Sequence, residues 1–256
     1  MTDSPDRIAN RETDVIRAFV ELSNELVDGY DMIDLLTNLT QSCARLLDVA
    51  SAGLLLTDEK GALHFVAASS ERTHNLELFQ LQRDEGPCLD CFHGGKAVNV
   101  PDLSAATGRW PVFCQRADRA GFASVHALPM RLRGNVLGAL GLFGETVGSL
   151  TEPDLALAQA LAHVACVAIV NEKAAEDRTI VISQLQHALA SRIALEQAKG
   201  VVASSGGLEM EEAFAVLRRY ARDHGQKLSA VAAQVVNREL RGETLVQHAR
   251  SAAVIT

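Results

Sequence analysis

From Thr151 to Ser204 the chain offers roughly 50 consecutive helix-compatible residues, broken only by Gly200. If continuous, such a helix would be about 75 Å long. It opens on Thr151-Glu152-Pro153-Asp154, the form of a capping box with proline in the first turn, where a missing N–H costs nothing. Leu155, Ala158, Leu161, Ala165 and Ala168 make one apolar stripe. Val181, Leu185, Ala188, Leu195, Ala198 and Val202 make a later one. A single chain cannot cover a stripe of that length, so the run predicts coiled-coil pairing in a homodimer, held by this helix and the N-terminal helix. It also divides the chain into a part before and a part after.

The part before reads as α+β. Residues 1–12 are polar and predict disorder. Val15, Phe19, Leu22 and Leu26 then recur at helical spacing until Gly29, and Asp31 can cap a second helix carrying Met32, Leu35, Leu36, Leu39, Cys43, Leu46 and Leu47. "AGLLLTDEKGALHFVAASS" reads as a hairpin turning at Gly61, followed by a short helix around 73–81. Pro87 and Gly94-Gly95 bracket another helix, with a strand to Val100 beyond it. "WPVFCQRADRAGF" is helical, and "SVHALPMRL" and "VLGALGLF" flank an Arg133-Gly134-Asn135 turn. Hairpins rather than crossovers predict an antiparallel sheet flanked by helices over residues 13–170. Gly138, Gly141 and Gly144 in the last strand predict close backbone contact.

After the long run come two short amphipathic helices. One carries Met210, Ala213, Phe214, Leu217 and Tyr220/Ala221, and Gly225 follows it where a left-handed residue is wanted. The other carries Leu228, Val231, Ala232, Val235 and Leu240. Neither could stand alone. With the end of the long helix they predict a three-helix unit over 178–241, joined to the first part by a helical linker at 171–190 and trailed by a flexible tail at 242–256.

Charge separates the same two parts. The net charge is −8, but residues 177–256 carry 10 Lys+Arg against 8 Asp+Glu, while the preceding residues balance at −10. Arg218 and Arg222 sit four apart on the face away from the apolar stripe, with no acidic residue three or four positions away. Lys227 opens the next helix and Tyr220 stands at the edge. Guanidinium pairs suit phosphate, and an edge aromatic can stack on an unpaired base. The same pattern fits a solvated face. Gly200 is open to two readings as well: close approach of another helix, or approach of a ligand backbone beside Lys199. Its presence inside a helix costs about 1 kcal/mol relative to alanine.

The run "SRIALEQAKGVVASSGGLEMEEAFAVLRRYARDHGQKLSAVAAQVV" resembles the ANTAR domain, the RNA-binding module of transcription antitermination regulators. The acidic part, with "DEGPCLD" and "AVNVPDL" before a terminal hairpin, resembles a GAF domain, a sensory fold. Together they resemble GAF-ANTAR proteins of the actinobacterial type. The chain departs from the family at Glu209, where Ser or Thr usually caps the second ANTAR helix, at Val202-Ala203-Ser204, and at Gly225, which replaces a frequent Asn. The resemblance implies a dimer that binds paired stem-loops in nascent mRNA and prevents a terminator hairpin, acting on the elongation complex indirectly. Carried residue by residue, it implies RNA contacts at Arg192, Lys199, Gly200, Arg218, Tyr220, Arg222 and Lys227. It also implies a small-molecule ligand or a conformational signal at the GAF domain.

Two function classes compete with that reading. A redox-active or sulfoxide-reducing enzyme would use Cys88 and Cys91, which fall on one helix face with Cys88 in the first turn, where a thiolate is favoured. Asp84, Glu85 and Asp90 oppose a thiolate there. A DNA-binding regulator would use the two short C-terminal helices as a helix-turn-helix. Five scattered cysteines suggest reduced, mostly buried thiols. Cys88, Cys91 and His93 lack a fourth ligand at any usual zinc spacing, and no nucleophile elbow, phosphate loop or HExxH occurs. The expectation is a non-enzymatic, cytoplasmic protein without cofactor or metal. The acidic start argues against a secretory signal, and Leu155–Val170 is too short and polar to span a bilayer.

Overall fold

The computed structural model describes residues 13–22, 31–47, 49–58, 60–132, 134–170 and 178–251. The readings of residues 1–12 as disordered, of Gly29 as a helix stop, and of 171–177 as linker lie outside these, as do the side chains of Val181 and Leu185. The chain divides into two compact units, Met1–Gly29 with Leu35–Leu185, and Tyr30–Asp34 with Gln186–Thr256.

The first unit is built on a five-stranded antiparallel sheet in the order β2-β1-β5-β4-β3. Its strands are β1 (Ser51–Thr57), β2 (Leu63–Ala68), β3 (Val98–Val100), β4 (Ser124–Leu132) and β5 (Asn135–Gly144). The β1–β2 hairpin turns where expected. The Asp58 carboxylate accepts from the Lys60 and Ala62 N–H groups, each at 2.9 Å, and Gly61 takes φ +82°. The glycines of β5 are close-contact positions: a Cβ on Gly138 would lie 2.0 Å from the Leu55 carbonyl oxygen.

Helices α1 (residues 13–22) and α2 (Met32–Leu46) precede the sheet, and Asp31 caps α2 by accepting from the Ile33 N–H at 2.9 Å. Helix α3 (Glu71–Arg83) packs on β1 and β2, and α4 (Pro87–Gly94) packs on β4 and β5. With α5 (Pro111–Arg119) these helices enclose a core that includes Leu55, Leu76, Trp110, Phe113, Phe122 and Phe143. Helix α6 (Glu152–Val170) packs on β4. At its start the Asp154 N–H donates to Thr151 Oγ1 at 3.3 Å, the N-cap half of the predicted capping box.

The second unit contains the end of α7 (Arg178–Gly206), then α8 (Met210–Asp223), α9 (Leu228–Val236) and α10 (Gly242–Ser251). Two expectations change here. The long helix does not dissolve at Ser204. It runs through Gly206 and ends at Gly207, φ +64°, with the Leu208 N–H returning to the Ala203 carbonyl at 3.0 Å. The segment read as a flexible tail forms α10 over Gly242–Ser251, which packs on α8 and buries Leu245, Val246 and Ala249. Those residues share one helix face, so a fourth helix completes the unit. Among the described residues, no helix is long and apolar enough to cross a membrane.

Candidate functional site

The sequence-predicted RNA contacts lie on α7, α8 and the start of α9, and the fold does not bring them to one surface. On α7, Arg192 and Lys199 are 8 % and 3 % exposed. Both pair with Glu196: Arg192 Nη2 lies 2.5 Å from Oε1, and Lys199 Nζ lies 3.3 Å from Oε2. Spacings of four and three residues link Ala188, Arg192, Leu195, Lys199 and Val202, so both cations stand on the buried stripe. They are turned inward and are not displayed to a polyanion in this structure.

Gly200 lies on the opposite side of α7. It is exposed, and a Cβ added there would meet nothing within 4 Å. Among the described residues, no other helix packs closely against it. Ile193 and Val201, exposed by 62 % and 42 %, belong to the same helix.

Helix α8 sends its predicted residues to different flanks. Successive residues turn by about 100° around a helix, so position 220 stands about 160° from both 218 and 222. The Tyr220 ring stacks on His224 at 3.9 Å and meets His248 of α10 edge-on at 5.3 Å. Asp223 beside them accepts from Arg219 Nε at 2.6 Å and pairs with His248 Nε2 at 3.0 Å, and these bonds hold its carboxyl below the usual range. That flank is an aromatic and ion-paired seam between α8 and α10. The grouping of Tyr220 with the two arginines does not hold, because they share a helix but not a face.

Arg218 and Arg222 form the other flank. Arg222 and Lys227 are exposed, and Arg218 is half-buried. Helix α8 closes at Gly225, φ +60°, which turns the chain so that Lys227 stands at the N-cap of α9. Arg218 has an acidic partner that local spacing could not reveal: its Nε lies 2.9 Å from Asp34 Oδ1. One turn earlier, Asp31 Oδ2 accepts from the Ser229 N–H at 2.6 Å. Burial pushes the Asp34 carboxyl above its usual range against the pull of Arg218, and Asp31 adds to the rise. Sequence reasoning missed both acids, because the residues that join them to this flank lie far along the chain.

The cysteine pair belongs to the core. Cys88 and Cys91 are fully buried free thiols. Burial pushes Cys91 up to about 12, and burial together with the neighbouring Glu77 raises Cys88 well above a usual thiol. The first-turn position of Cys88 does not make it a thiolate. The polar surprise here is Glu77, fully buried on α3. Its carboxyl accepts from Gln80 Nε2 at 2.9 Å and from the Cys88 thiol at 3.5 Å, and burial raises it to about 8. Among the described residues, no group of three His, Cys, Asp or Glu side chains could hold a metal.

Comparison with known proteins adds two family matches. A model described as GAF domain matches residues 30–170, and one described as ANTAR domain matches residues 183–236. The second match ends before α10. No curated protein matches the chain. Among solved structures it is similar to the GAF domain of a phosphoenolpyruvate-protein phosphotransferase from Coxiella burnetii, at 14 % identity and TM-score 0.49, covering 62 % of this chain and 94 % of that one. It is also similar to the free methionine-R-sulfoxide reductase from Neisseria meningitidis, at 17 % identity and TM-score 0.49, covering 66 % of this chain and 93 % of that one. The GAF domain of the Acinetobacter phosphoenolpyruvate-protein phosphotransferase, at 14 % identity and TM-score 0.48, covers 61 % of this chain and 93 % of its own.

Proposed function

Because the chain belongs to the GAF domain family and carries an ANTAR domain C-terminal to it, we propose that this regulator acts as a transcription antiterminator. Its ANTAR unit binds paired stem-loops in nascent mRNA and holds the transcript in a form that excludes a terminator hairpin. The elongation complex is affected only through that RNA. The GAF domain receives a small-molecule ligand or a conformational signal, and the protein works in the cytoplasm by binding rather than by catalysis.

One observation carries this reading: within the ANTAR match, Arg222 and Lys227 are displayed to solvent beside Arg218, where α8 gives way to α9. Cations at a helix junction suit a phosphate backbone, which supplies the salt-dependent part of nucleic-acid affinity. Homodimerisation is supported by exposed apolar side chains, Ile193 and Val201 on α7 and Ile16 and Val20 on α1.

Sequencing of RNA crosslinked to the protein tests the reading, with paired stem-loops upstream of terminators as the expected yield. On a recovered stem-loop, Arg222→Ala is expected to weaken binding and to shallow the salt slope by about one unit. Its melting temperature should stay near that of the wild type, since the side chain is exposed. Equal binding to duplex DNA would favour a DNA-binding regulator instead.

A further inference from the structure

Helix α9 has no side-chain cap of its own, because its N-cap residue is Lys227. The Ser229 N–H, in its first turn, is satisfied by a carboxylate from a distant part of the sequence, Asp31 Oδ2 at 2.6 Å. A second carboxylate three residues on, Asp34, pairs with Arg218 Nε at 2.9 Å. Both acids group with the C-terminal unit. Two anionic oxygens thus rest on a helix N-terminus and a guanidinium, with exposed Arg222 one turn along α8 from Arg218 and exposed Lys227 at the N-cap of α9. A helix N-terminus next to a guanidinium is a site for a phosphate oxygen.

We propose that the Ser229 N–H, Arg218, Arg222 and Lys227 form one binding site for an RNA phosphodiester backbone, and that Asp31 and Asp34 are its intramolecular surrogates, displaced when RNA binds. This rests on the RNA-binding reading above. The surrogates suit displacement. Desolvation of Asp34 outweighs the attraction of Arg218, and the two carboxylates repel each other. Such a pair adds little to stability, and Arg218 exchanges it for phosphate at little cost. Asp31 Oδ1 separately accepts from the Ile33 N–H at 2.9 Å, so α2 keeps its cap when Oδ2 is released. The two acids set a threshold that RNA must exceed.

The test uses the full chain carrying Asp31→Asn with Asp34→Asn, which removes charge while asparagine still caps α2. The probe is a fluorescein-labelled RNA of two tandem stem-loops, with a DNA duplex of equal length as control. The double variant is expected to bind the RNA roughly fivefold tighter, the scale of one partly exposed ion pair. The gain should disappear when Arg218→Ala is added, and the salt slope of the double variant should stay near that of the wild type, because the same cations neutralise phosphates once the acids are displaced. Thermal melting verifies the fold, and Asp34→Ser alone serves if the double variant does not fold. Unchanged RNA affinity in a folded variant overturns the surrogate role. An equal gain on the DNA duplex upholds the phosphate site and removes the preference for RNA. Absence of RNA binding by every variant and by the wild type overturns the RNA reading and this proposal with it.

Discussion

Glu77 shows what a single side chain can impose on a fold. Gly53 and Gly141 face each other across β1 and β5, and a Cβ on either would lie within 3 Å of Glu77 Oε1. The two glycines leave a bare patch on the sheet, and the carboxyl lies on it. An ionised carboxylate there would be costly, and burial raises Glu77 from 4.5 to about 8. Between those values the folded protein holds one proton more than the unfolded chain, so stability falls as pH rises. The slope is on the order of 1 kcal/mol per pH unit and ends above the folded value. Glu77→Gln preserves the shape and can still accept from Gln80. Urea unfolding at pH 5, 6, 7 and 8 is expected to show a declining wild type and a flatter variant that is the more stable of the two at pH 8. Parallel curves would mean that Glu77 is ionised throughout.

At the scale of elements, α7 carries opposite lessons on its two sides. Its buried stripe accepts two cations because Glu196 stands within one turn of both. The 4-3-4-3 spacing that buries them can be read from the sequence, but a basic residue next to a binding motif invites the other interpretation. Its exposed side carries Gly200 with open space around it. Alanine at this position should add helix propensity worth about 1 kcal/mol. Gly200→Ala is therefore expected to raise the melting temperature measured at low protein concentration. If a second copy approaches at Gly200, the same variant should self-associate less in sedimentation equilibrium. A lower melting temperature at every concentration would mean that the glycine is required by the backbone itself. Helix α10 is the complementary case. Its periodicity over Leu245, Val246 and Ala249 was short, and only packing on α8 distinguishes it from a frayed tail.

For the whole molecule, the homodimer reading rests on apolar surface that one chain leaves exposed. Ile16 and Val20 lie one turn apart on α1, and Ile193 and Val201 about two turns apart on α7. Light scattering at micromolar concentration is expected to give the mass of two chains, and Ile193→Glu with Val201→Glu should shift it toward one. A monomeric wild type would leave the coiled-coil role of the long helix without support. A balance of +2 over residues 177–256 against −10 over the preceding residues fits a regulator in which one part receives a signal and the other meets a polyanion.

The sequence by itself determined the α+β first part, its hairpins, the proline and glycine bounds of α4, the Asp31 cap and the ANTAR segment. Each of these depends on residues within a few positions of one another, and local sterics and hydrogen bonding settle them. Tertiary structure alone decided that Glu77 lies on a glycine patch and that Asp31 and Asp34 meet α9 and Arg218. Those contacts join residues up to 198 positions apart. Their energies depend on burial and on which charges share a surface, and spacing along the chain records neither.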